Sequence, residues 1–118
     1  MPPSPACKRG DVVLVLFPNA DLRTAKTRPA LVVQADGLVT RLPQVIVAMI
    51  SSRMFRADHP SRITVRLNTS DGRQSGLLAD SVVMTDNLAT VLESALGDMI
   101  GSLPMAGVNA ALRHTLGL

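Results

Sequence analysis

Thr27-Arg28-Pro29-Ala30-Leu31-Val32-Val33-Gln34 is the stretch on which the reading of this chain turns, because a proline there opens an almost uninterrupted apolar run directly behind a basic segment. A residue before proline is pushed out of the α region toward extended geometry. Proline itself is tolerated as the first residue of a strand, where its missing N–H breaks no interior ladder. The run therefore predicts a strand over Pro29 to Ala35, with Arg28 at the rim of a sheet. A guanidinium held there is always charged and offers a planar fork that suits phosphate.

On the C-terminal side, Asp36-Gly37 and the residues to Pro43 read as a turn, and Gln44 to Ser52 as the next strand. If the two strands form an antiparallel hairpin, residues whose numbers sum to about 79 lie opposite each other. Arg28 then faces Ser51. Directly opposed residues hold their Cβ atoms about 5 Å apart, so the register sets the guanidinium beside the hydroxyls of Ser51 or Ser52.

On the N-terminal side, Lys8-Arg9-Gly10-Asp11 reads as a turn and Val12 to Phe17 is apolar at every position, which argues for a strand covered on both faces. Pro18 ends it. The connection from there to Thr27 carries Arg23 and Lys26 with no apolar periodicity, and its length of about ten residues makes it a candidate functional loop. A second loop, Arg53 to Pro60, adds Arg53 and Arg56 and closes on the turn Asp58-His59-Pro60. His59 has no partner at metal-ligand spacing and reads as a satisfied or solvated histidine.

Beyond that loop, Ser61 to Leu67 alternates, with Ile63, Val65 and Leu67 inward and Arg62, Thr64 and Arg66 outward. Ser75 to Leu78 and Ser81 to Asp86 read as further short strands, Glu93 to Leu96 as a helical turn and Gly97 to Leu103 as a last strand. Six or more short strands at this spacing predict a small antiparallel barrel. Pro104 suits the first turn of a closing helix, whose Met105, Val108, Leu112 and Leu116 fall on one face.

Composition sets the bounds. The 118 residues fit a single domain over 1–118, with residues 1–7 as a loose leading segment, and by general scaling such a chain buries roughly 65% of its unfolded surface. Phe17 and Phe55 are the only aromatic residues, so valine and leucine must carry the core. The net charge is +3, yet residues 1–73 hold eleven Lys or Arg against five Asp, while residues 74–118 hold one Arg against four acids. A polyanion, if one is bound, should meet the N-terminal half. Cys7 stands alone, which excludes an intrachain disulfide. The longest uncharged stretch, Met99 to Leu112, is too short for a bilayer and is broken by Pro104. The expectation is a soluble cytoplasmic protein with no membrane role.

Four stretches then carry a resemblance: Lys8-Arg9-Gly10-Asp11-Val12-Val13, Thr27-Arg28-Pro29-Ala30-Leu31-Val32-Val33, Val47-Ala48-Met49-Ile50-Ser51-Ser52, and Ser75-Gly76-Leu77 through Asp80-Ser81-Val82-Val83. In order and spacing the chain resembles the MazF/PemK toxins of bacterial type II toxin–antitoxin systems, and Val39-Thr40-Arg41-Leu42-Pro43 looks closest to the Kid/PemK branch. The resemblance implies a mainly β fold, an SH3-like antiparallel barrel with a C-terminal helix, assembled as a homodimer. It also implies a sequence-specific endoribonuclease acting on single-stranded RNA without metal or other cofactor, and a cognate antitoxin that wraps the toxin through a disordered C-terminal segment.

The same resemblance assigns Arg28 and Ser51 to catalysis on the pattern of one branch, and Asp86 on the pattern of the Kid branch, whose arginine partner is replaced here by Met84. The candidate RNA contacts are Asn19, Arg23, Lys26, Thr27, Ser52 and Arg53. Two further departures are Ala89-Thr90 in place of the family's Arg-Thr, and Arg23-Thr24-Ala25-Lys26 in place of its Glu-Gln, so cleavage specificity does not transfer. The general base is left open: Asp86 could take a proton, or it could cap a turn. A reading of a different class is a binding protein, either a poison of a protein target like CcdB or a relative that binds without cutting.

Overall fold

The computed structural model describes residues 7–18, 21 and 23–118. Three apolar runs form the middle of its six-stranded sheet: β1 (Asp11–Pro18), β2 (Ala25–Val32) and β3 (Gln44–Ser51). The sheet is completed by β4 (Arg62–Val65), β5 (Ser81–Leu92) and β6 (Leu96–Ser102), and two helices follow β4 and β6, α1 (Ser70–Ser75) and α2 (Ala106–Leu116). Strand order is β4-β5-β3-β2-β1-β6, and every pairing is antiparallel.

Both faces of the central strands are covered, as their unbroken apolar runs predict. Val12, Leu31, Ala48, Ile50 and Val83 go to one core with Val65, Leu77, Leu103 and Val108, the last of these from α2. Val13, Val15, Ala30, Val32, Val45 and Val47 go to a second core with Val91, against which Phe17, Met49 and Leu96 pack. Successive residues of a strand point to opposite faces, so the alternation along β1, β2 and β3 sorts these side chains into two cores.

β5 changes partner register midway. Ala48 lies opposite Leu88 but Met49 lies opposite Met84, which leaves Thr85, Asp86 and Asn87 without opposite numbers on β3. Such a bulge bends the strand and re-aims its side chains. Thr85 turns inward and is fully buried, and both its N–H (3.0 Å) and its hydroxyl (2.6 Å) donate to the carbonyl of Ser61. Asp86 is left exposed.

The stretch Ser75 to Leu78, expected as a strand, instead ends α1. The Thr69 hydroxyl accepts the N–H of Gly72 at 3.0 Å as an N-cap, and Gly76 closes the helix in the left-handed region at φ 72°. This short helix lies between β4 and β5 in the chain and packs against the other edge strand, β6. A Cβ at Gly76 would overlap the carbonyl of Ile100, a Cβ at Gly101 would overlap the carbonyls of Gln74 and Ser75, and Gln74 Nε2 donates to Ser102 Oγ at 2.8 Å. Landing α1 on β6 in this way curls the open sheet toward a barrel.

Two other boundaries differ from expectation. β2 begins at Ala25 rather than Pro29, because its pairing with β1 continues back to Pro18 opposite Ala25. Pro104 precedes α2, whose N-cap is Met105; the helix buries Val108 and Ala111, while Leu116 is 53% exposed.

The clasp between α1 and β6 yields a first prediction. Gly101 needs no left-handed backbone, so Gly101→Ala isolates the steric clash with α1. Its expected cost is about 3 kcal/mol or more, in the range of severe core overpacking. Urea denaturation reads it, and an unchanged midpoint would show that the two segments do not depend on this contact.

Candidate functional site

The predicted β2–β3 register is observed: Ala30 pairs with Met49, Leu31 with Ala48 and Val32 with Val47, each summing to 79. Pairing then stops short of Arg28. The carbonyl of Val32 accepts from Gly10 on the β1 side, whereas the N–H of Val33 donates to Ile46 on the β3 side, so by alternation Pro29 turns its backbone toward β3. The next hydrogen-bonded pair in this register would join Pro29 to Ile50, and Pro29 has no N–H to give. β2 therefore leaves β3 at this point while remaining on β1, where Arg28 lies opposite Val15.

Arg28 and Ser51 are the two residues just past that ending. Alternation puts Arg28 on the face of Ala30 and Val32, and Ser51 on the face of Val47 and Met49, which is the same face because all four pack in the second core. Arg28 is exposed, and its guanidinium has no hydrogen-bond or ion-pair partner among the described residues. Ser51 is half-buried, lies opposite Val82 on β5, and its Oγ accepts the N–H of Arg53 at 3.1 Å. That bond orients the hydroxyl and leaves its own proton free to donate. Ser52 and Arg53 follow at the surface.

A row of cross-strand partners runs along the same face from Ala30 through Met49 and Met84 to Arg62 on β4. Arg62 Nη2 meets Asp86 Oδ2 at 2.8 Å and Nε reaches Oδ1 at 3.4 Å, while Nη1 donates to the carbonyl of Arg56 at 3.1 Å. The hydrogen bond from Arg62 holds the Asp86 carboxyl below its usual range, against a smaller opposing effect of desolvation. The same bond raises Arg62. Asp86 is thus an ion-pair partner rather than a turn cap. Arg62, opposite Met84 on the next strand, brings a guanidinium to Asp86. Sequence reasoning missed Arg62: the alternation of its strand gives its outward position, but nothing local ties it to Asp86.

The basic loop is shaped by Asp21, whose Oδ1 accepts the N–H groups of Arg23 and Thr24 at 2.9 and 3.0 Å. Those bonds lower its pKa. The side chains of Arg23, Lys26 and Thr27 are exposed; alternation sets Lys26 on the Arg28 face and Thr27 on the other. Asn19 lies outside the described residues. His59 accepts the N–H of Ser61 through Nδ1 at 3.1 Å and is spent on a local turn. Burial pushes the half-buried Cys7 thiol up, which disfavours the thiolate a nucleophile needs. Among the described residues no group of three or more His, Cys, Asp or Glu is placed to hold a metal ion, and no helix is long and apolar enough to cross a membrane.

Comparison with known proteins agrees with this fold. Residues 8–116 match the model of the family described as PemK-like, MazF-like toxin of type II toxin-antitoxin system, and the chain belongs to that family. It is 34% identical over 107 residues to endoribonuclease MazF6 of Mycobacterium tuberculosis, covering 87% of this chain and 90% of the relative. Endoribonuclease EndoA of Bacillus subtilis is 31% identical over 115 residues, covering 94% and 95%. Among solved structures, a mycobacterial endoribonuclease in complex with its cognate antitoxin superposes with a TM-score of 0.73 at 24% identity, covering 96% of this chain and 97% of the other. MazF of Deinococcus radiodurans gives 0.66 at 22% identity, covering 95% and 97%. At these identities the solved structures establish the fold.

The Arg62–Asp86 pair has a testable pH signature. Asp86 binds its proton less tightly folded than unfolded, so the pair stabilises the protein at neutral pH and this contribution is lost as pH falls through the lowered value. Being open to solvent, the pair contributes little, as surface ion pairs do. Carboxyl-detected NMR should find Asp86 titrating below the ordinary value of about 3.9 and returning to it in Arg62→Gln. An Asp86 titration that Arg62→Gln leaves unmoved would show that the ion pair is not its cause.

Proposed function

We propose that this toxin-family protein is an endoribonuclease that cuts single-stranded RNA across the Arg28–Ser51 face. The observation that carries the reading is an unpartnered guanidinium on the same face as an oriented serine hydroxyl, at the point where β2 leaves β3. Its support from relatives is that those at 31–34% identity are named endoribonucleases.

RNA carries its own nucleophile, so the protein must position the nucleotide and stabilise charge. The 2′-oxygen attacks the adjacent phosphorus, the bond from phosphorus to the 5′-oxygen breaks, and a 2′,3′-cyclic phosphate forms. The 2′ proton passes to solvent, and the departing 5′-oxygen takes one up. Arg28 compensates the dianionic phosphorane, and the Ser51 O–H donates to a non-bridging oxygen. Neither step calls on a metal. Asp86 acts through Arg62: a carboxylate held below its usual pKa is a weak base, and its service is to fix that guanidinium on the face.

Asn19, Arg23, Lys26, Thr27, Ser52 and Arg53 flank the cut as RNA contacts, chiefly through phosphate, which makes affinity fall with salt. The working form is a homodimer in the cytoplasm, and a cognate antitoxin silences it by laying an extended disordered segment over it. The relative solved with its cognate antitoxin supports that partner. A monomer in sedimentation at tens of micromolar would overturn the dimer.

The decisive assay is cleavage of a long mixed RNA in EDTA with mass analysis of the ends. Arg28→Ala should lose about 100-fold to 1000-fold in rate, the usual effect of removing one preorganised donor, and Arg28→Lys should recover part of it because an ammonium lacks the fork. Ser51→Ala falls between, and Asp86→Asn loses less than Arg28→Ala. Arg23→Ala and Lys26→Ala weaken binding and flatten its salt dependence. Near-normal cutting by folded Arg28→Ala removes Arg28 from the mechanism, and no cutting by the unaltered protein on any RNA favours a binding protein instead.

A further inference from the structure

The chain has two aromatic residues, and the structure treats them in opposite ways. Phe17 packs against the second core. Phe55 is 79% exposed, on the single turn Met54–Arg56 that begins three residues after Ser51. One exposed apolar side chain is ordinary on a protein surface; the surroundings of this one are not. The Arg56 guanidinium lies 5.6 Å from the ring centroid, a cation–π distance. Arg56 is itself braced on the sheet, since its Nη1 lies 3.6 Å from Met84 Sδ and its carbonyl accepts from Arg62, which Asp86 holds at 2.8 Å. The ring is thus set against a cation tied to β4 and β5, and most of its surface is open to solvent.

We propose that Phe55 is a stacking platform for one unpaired nucleobase of the RNA, outside the nucleotide cut at Arg28 and Ser51. This rests on the endoribonuclease reading. Charge chooses the occupant: Arg56 lies at the ring and Arg53 is two residues before it in the chain, the nearest acid in sequence is Asp58, and Asp86 is already spent on Arg62. An apolar protein surface closing over Phe55 would strip water from those guanidiniums without pairing them, which is costly. A single strand gives the ring a π face and the cations their phosphates together. Every base has such a face, so the platform adds affinity without reading sequence, and its loss raises KM while leaving kcat in place.

The chain contains no Trp or Tyr, so Phe55→Trp creates a single emitter at this position. The probes are a short mixed-sequence 2′-O-methyl oligoribonucleotide, which lacks the attacking hydroxyl, and an abasic strand of equal length and charge. Trp emission should be quenched by the first and not by the second. Phe55→Ala should bind the base-bearing strand about tenfold more weakly, the usual order for one lost stack, and should lose its preference over the abasic strand. Equal quenching by both strands, or an unchanged Kd in Phe55→Ala, overturns the platform while RNA cleavage by the unaltered protein leaves the endoribonuclease reading standing. A changed sedimentation coefficient in Phe55→Ala assigns the ring to a contact between copies and overturns it too. An unaltered protein that neither cuts RNA nor binds either strand brings both readings down together.

Discussion

Pro29 has no N–H, and its backbone points at β3 where the next hydrogen bond of the ladder would form with Ile50. The strand does not end there, because the backbone of Arg28 points the other way and pairs on β1. One missing donor therefore separates two strands without unfolding either, and it does so beside an arginine whose conformation the same proline restricts. A guanidinium in the middle of a continuous ladder would be flanked by neighbouring strands on both sides. Here it stands at the parting of two strands, with no protein partner among the described residues, and the hydroxyl that ends β3 is on the same face.

What keeps that parting rigid is the two-sided burial of the strands behind it. Val13, Val15, Ala30 and Val32 are shut into the second core, while Val12 and Leu31 are shut into the first. A strand buried on both faces cannot slip by one residue without exchanging its entire set of side chains between cores. The register that ends at Ala30 opposite Met49, just short of Arg28 and Ser51, is thereby fixed by residues shut inside the protein. The clasp of α1 on β6 contributes at the far end, holding the curl of the sheet through backbone contacts that only glycine permits.

Much of this was legible before any coordinates. β1, β3 and β6 fall within a residue or so of their expected bounds, and the β2–β3 register is as expected; for β1 and β3 the unbroken apolar runs leave few alternatives. α1 was not legible as a helix: Ser70 to Ser75 has no apolar periodicity, and only the spacing of a capping Thr69 from a closing Gly76 marked it. β5 runs on to Leu92 rather than ending at Asp86, because Thr85, Asp86 and Asn87 form a bulge within one strand. The Arg62–Asp86 pair depends on that bulge and joins residues 24 apart in sequence, so no local pattern announces it. Rules of spacing reach contacts made along a strand; they do not reach contacts made by a change of register.

Thr85 ties that bulge to two distant parts of the chain. Its hydroxyl meets that of Thr115 at 2.7 Å, in the last turn of α2, while its N–H and hydroxyl share the carbonyl of Ser61 ahead of β4. Helix ends are the places where a native protein opens first and at least free-energy cost. Asp86, one residue along from Thr85, is thus joined through a single hydroxyl contact to the end of a helix. The C-terminal helix and the strand that carries the carboxylate of the charged face share one anchor, and neither can shift there without the other.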